Sequence, residues 1–115
     1  MSRWFDNSRL VYWDNTNQDL TIPGTLNVQT STIRIGTNAG ASNQASGSVA
    51  IGSNAGAIGQ GVNSVAIGVG AGFSTQGNVA IAIGQNAGSS NQILNAIAIG
   101  NAAAQSSQGQ ASIAI

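Results

Sequence analysis

Isoleucine returns at a fixed interval of 16 residues, at Ile35, Ile51, Ile67, Ile83, Ile99 and Ile115, with no insertion between repeats. Two places before each stands a second β-branched residue: Ile33, Val49, Val65, Ile81, Ile97 and Ile113. Between the two lies Arg34 in the first repeat and then Ala50, Ala66, Ala82, Ala98 and Ala114. Glycine follows at Gly36, Gly52, Gly68, Gly84 and Gly100. A further alanine column runs through Ala39, Ala55, Ala71, Ala87 and Ala103, and a glutamine column through Gln44, Gln60, Gln76, Gln92 and Gln108. Self-similarity at such a period marks a repeat architecture.

A helix cannot carry this pattern. Each interior glycine costs a helix about 1 kcal/mol against alanine, and the apolar residues alternate with period two, as in a strand. β-Branched residues that run into glycine predict a short strand and a sharp turn. The fold expected is all-β: a parallel β-solenoid, or β-roll, of 16-residue coils stacked about 4.8 Å apart. Residues 33–115 form five such repeats and end within a sixth. In this arrangement the glutamine amides line up and can hydrogen-bond along the stack. Asparagine after the strand suits a turn.

The two faces of the V-A-I strand set the expected packing. Val49, Ile51, Val65, Ile67, Ile81, Ile83, Ile97 and Ile99 are expected to fill the coil as its core ladder. Ala50, Ala66, Ala82 and Ala98 then point away, where a half-buried strand would carry polar residues. An alanine column there predicts close contact with another copy of the chain, in a homo-oligomer of cyclic symmetry. One coil buries too few side chains to offset the ordering of its backbone, so stacking and lateral association must contribute.

Composition narrows the function classes. The basic residues are Arg3, Arg9 and Arg34 and the acidic ones Asp6, Asp14 and Asp19, so nothing from Ile35 to Ile115 is charged. Without a Lys/Arg stripe, nucleic acid is not an expected partner. No apolar run reaches the roughly 20 residues of a membrane span. There is no Cys, which excludes disulfides and thiolate metal sites. There is also no His, Lys or Glu, which leaves general acid–base and nucleophilic catalysis without players. The chain is therefore expected to be no enzyme and to use no cofactor, metal or catalytic residue. "GVGAG" (Gly68 to Gly72) lacks the lysine and helix of a phosphate loop and reads as a turn.

Residues 1–32 differ in character. They hold Trp4, Phe5, Tyr12 and Trp13, the largest apolar side chains of the chain, among turn-forming Asp, Asn, Thr and Pro-Gly. Two roles fit them: a cap over the open end of the solenoid, or an aromatic anchor that attaches it to a particle. The stop at Ile115, inside the motif, suggests a fragment or an end-to-end contact.

"NSVAIG" (Asn63 to Gly68) and "NAIAIG" (Asn95 to Gly100) resemble the head repeats of YadA-like trimeric autotransporter adhesins. That resemblance implies a left-handed β-roll, three chains around one axis, and binding to host surfaces. The period of 16 is longer than is usual in that family. "IAIGQNAGSSNQILNAIAIG" (Ile81 to Gly100) is closer to the Asn/Gly/Gln-rich repeats of fibre and surface proteins of giant viruses and phages. "DLTIPGTLNVQTSTIRIG" (Asp19 to Gly36) is similar to segments that open phage tail-fibre β-structures. Because the sequence shows neither a secretory signal nor a membrane anchor, the resemblance favours a virion-surface or extracellular fibre over a bacterial adhesin head. It implies a homotrimer with a host receptor as partner; attachment to a virion through the N-terminus is expected from the aromatic residues there, and a filament contact between ends from the stop at Ile115. Two further classes stay open. An ice-binding solenoid would want a regular Thr array. A curli-like amyloid subunit would grow by seeded polymerisation.

Overall fold

The computed structural model describes residues 3–5, 10–16, 18–28 and 31–115. Three short strands come first: β1 (Arg3–Phe5), β2 (Leu10–Asp14) and β3 (Asp19–Thr21), which pair antiparallel in that order. Among the described strands, none of these three contacts a strand of the repeat region.

The repeat region is an all-β parallel solenoid. Its V-A-I segments are β4 (Ile33–Ile35), β5 (Val49–Ile51), β7 (Val65–Ile67), β9 (Ile81–Ile83), β11 (Ile97–Ile99) and β12 (Ile113–Ala114). They form one parallel sheet in which Ile33 pairs with Val49, Val49 with Val65, Val65 with Ile81, and so on to Ile113. The glutamine segments β6 (Ile58–Gln60), β8 (Ser74–Gln76) and β10 (Ser90–Gln92) form a second parallel sheet. Single bridges at Ser42–Ile58 and Gln92–Gln108 extend it at both ends. The turns stack as well: Gly56 N–H donates to Ala71 O at 2.8 Å, Gly72 to Ala87 at 2.9 Å and Gly88 to Ala103 at 2.8 Å. The backbone of one coil is thus bonded to the next at turns and strands alike, which answers the requirement that buried amides be paired.

The side chains face the opposite way from the sequence expectation. Ala50, Ala66, Ala82 and Ala98 are wholly buried within a single chain, in one cluster with Ala39, Ala55, Ala71 and Ala87. They line the inside of the coil and do not form a surface between chains. Val49, Ile51, Val65, Ile67, Ile81, Ile83 and Ile97 are half-buried and Ile99 is exposed, so they do not fill the coil. The reason is steric. Alternation puts the central residue and its two neighbours on opposite faces of the strand, and here the central residue is the buried one. The walls come so close that methyl groups and the flat glutamine amide fill the interior.

Close stacking also explains the glycine column. Gly52, Gly68 and Gly84 hold φ of +122° to +123°, and a Cβ on Gly52 would lie 2.8 Å from the carbonyl carbon of Gly68. No side chain fits there. A second left-handed position is filled by Asn63 and Asn95 at φ 56° and 59°, but by Val79 at φ 57° between them. A β-branched residue is strained in that region, whereas Asn tolerates it. Val79 is also 52% exposed, so little burial is at stake. Val79→Asn is expected to stabilise the chain by about 1 kcal/mol, read as a higher midpoint in urea with an unchanged slope.

Candidate interaction surface

The inside of the solenoid is chemically closed. Each glutamine reaches across the coil to the strand on the far side. Gln60 Nε2 donates to Val49 O at 2.6 Å, Gln76 to Val65 O at 2.7 Å, Gln92 to Ile81 O at 2.6 Å and Gln108 to Ile97 O at 2.5 Å. A second set of bonds closes the next corner, from Gln76 to Ala80 O and from Gln92 to Ala96 O, both at 3.2 Å. Amides also link coil to coil, as Gln44 to Gln60 at 3.0 Å, Gln76 to Gln92 at 3.3 Å and Gln92 to Gln108 at 3.0 Å. No such bond joins Gln60 to Gln76, and Gln76 Oε1 and Gln44 Oε1 are left buried without a donor. The glutamine column is a row of internal cross-braces.

Ser48 and Ser64 serve the same corner, donating to Ala45 O at 2.5 Å and Gly61 O at 2.7 Å. Their role was not legible in the repeat, because Ala80 and Ala96 take the equivalent positions.

The outside carries the chemistry available to a partner. The outward residues of the V-A-I sheet make two parallel rows of Val and Ile, from Ile33 and Ile35 down to Ile113. Six strands at about 4.8 Å spacing give a flat aliphatic band roughly 24 Å long. Exposed apolar residues at the turns widen it. Val69 projects from the turn that follows the isoleucine row, and Val62 and Leu94 from the turn that precedes the other row. A cleft of about 380 Å³ opens at its N-terminal end between Leu26 and Val28 on one side and Thr32, Ile33, Arg34 and Ile35 on the other.

The side chains of Trp4, Phe5, Tyr12 and Trp13 lie outside the described residues, as do those of Asp6, Asp14 and Asp19. Among the described residues no cluster of His, Cys, Asp or Glu could hold a metal. No described helix is long and apolar enough to cross a membrane. Gly68 to Gly72 is a turn that stacks on its neighbours, with Gly70 and Gly72 at positive φ. Comparison with known proteins found no matching family model, no matching curated protein and no matching solved structure.

Proposed function

We propose that this chain is a non-catalytic structural protein of an extracellular or virion-surface fibre. In this reading three copies of the solenoid associate side by side to make a stiff display rod, attached through residues 1–32. The single observation that carries it is the outward aliphatic band on a solenoid whose interior is already full. A neutral apolar face of this length and regularity is unusual on a monomer and marks an interaction surface. The occupant proposed is the same chain. A closed ring lets the face of each copy be covered by the next, and three copies is the number that the resemblance to trimeric adhesin heads implies. The interface assigned is therefore the Val/Ile face.

Sedimentation equilibrium of the 115-residue chain is the test. The wild type is expected to fit a trimer. The double variant Ile67→Asn/Ile83→Asn is expected to sediment as a monomer that keeps its β circular dichroism, because both side chains point out of the coil. A wild type that stays monomeric at every concentration would refute this reading.

A further inference from the structure

The first coil breaks the alanine column, and the break has a location with a meaning. Arg34 pairs in register with Ala50, so it occupies the inward position that Ala50, Ala66, Ala82 and Ala98 fill in the coils below. An arginine stem cannot fit inside a coil that holds methyl groups. It fits at the end of the stack, where no coil of the solenoid lies above it and the lead-in residues Leu26 and Val28 line a cleft with it. There Arg34 folds over the mouth of the coil, and its Nη1 donates to Gly40 O at 3.3 Å. A Cβ on Gly40 would come within 2.8 Å of Arg34 Cδ, so the aliphatic stem lies directly on the Gly40 backbone. Beneath it Ala39 is only 6% exposed, although its coil is the first. The guanidinium itself is the only charge between Leu20 and Ile115.

We infer that Arg34 is an end stop: it closes the N-terminal mouth of the solenoid and prevents a coil of a second copy from stacking there. The ladder it interrupts is self-complementary. Each coil offers the next the same strand register, and each glutamine amide can pair with the one 16 residues away. Gln44 Oε1, at the same mouth, is buried and lacks the donor that a further coil would bring. An open edge of this kind is a template for pairing with another chain. A coil laid over Arg34 would have to desolvate the guanidinium at a register position where the repeat supplies only alanine, which is unfavourable. The repeat thus carries its own terminator, in the column that elsewhere must be alanine.

The test is sedimentation velocity over a dilution series, with electron microscopy of the same samples. It is run in the Ile67→Asn/Ile83→Asn background, so that side-by-side association does not enter. Arg34→Ala is expected to associate end to end at least about tenfold more tightly than the parent, and to give rods longer than one solenoid. Arg34→Lys, which keeps a stem and a charge, is expected to match the parent. The inference is overturned if Arg34→Ala sediments as the parent does, or if Arg34→Lys lengthens as much as Arg34→Ala. Should the alanine variant not fold, Arg34→Gln removes the charge and is held to the same two outcomes.

Discussion

Ala82→Leu is expected to unfold the solenoid. Ala82 has no exposed surface and sits in the alanine cluster that separates the two walls of its coil. Leucine adds three carbons where no cavity receives them, and the walls cannot part. They are pinned to the coils above and below through Val65–Ile81 and Ile81–Ile97 pairing. Overpacking of this kind costs about 1–3 kcal/mol even in cores that can adjust. Here the loss is expected at or beyond the top of that range, a large share of the stability of a small domain. Loss of the cooperative urea transition, or a strongly lowered midpoint, is the readout. Ile83→Ala, one residue along on the outer face, is the control, and its unfolding midpoint as a dilute single chain should move far less. Had Ala82 faced a neighbouring chain, the leucine variant would fold normally and fail only to associate.

Gln92→Glu tests the other half of the interior. Gln92 Nε2 donates to Ile81 O, Ala96 O and Gln108 Oε1, and its Oε1 accepts from Gln76. A carboxylate would turn three donor contacts into acceptor against acceptor and bury a charge without a partner. The expected loss at neutral pH is about 3–5 kcal/mol. Its pH dependence follows from linkage. Burial raises the pKa of the folded carboxyl above the unfolded value of about 4.3. The variant is therefore least destabilised below that value, where both states are protonated. It loses stability as pH rises from there through the raised folded pKa. Gln92→Leu also loses the brace but carries no titrating group, so urea midpoints at several pH values should fall only for the glutamate. Equal pH profiles for the two variants would mean that the position is open to water.

The solenoid itself was legible in the sequence. A gap-free period of 16, strand alternation over three residues, and glycine after each strand leave few other solutions. The glutamine column was also visible as a column. Its reach across the coil to Val49 O, Val65 O and Ile81 O was not, because a repeat says which residues stack and nothing of what lies opposite. Arg34 was visible in the sequence as the exception in the alanine column. Its use as a cover for Gly40 required the register and the position of the coil mouth.

The repeat and its strand periodicity determined that this chain coils, because equivalent residues at equal spacing can satisfy their backbones only by stacking on one another. The tertiary structure decided which side of each strand is inside. Hydrophobicity ranks isoleucine above alanine for burial, yet a coil this narrow selects by size. Ala50, Ala66, Ala82 and Ala98 went in with the flat glutamine amides, and the larger Val and Ile were left facing out.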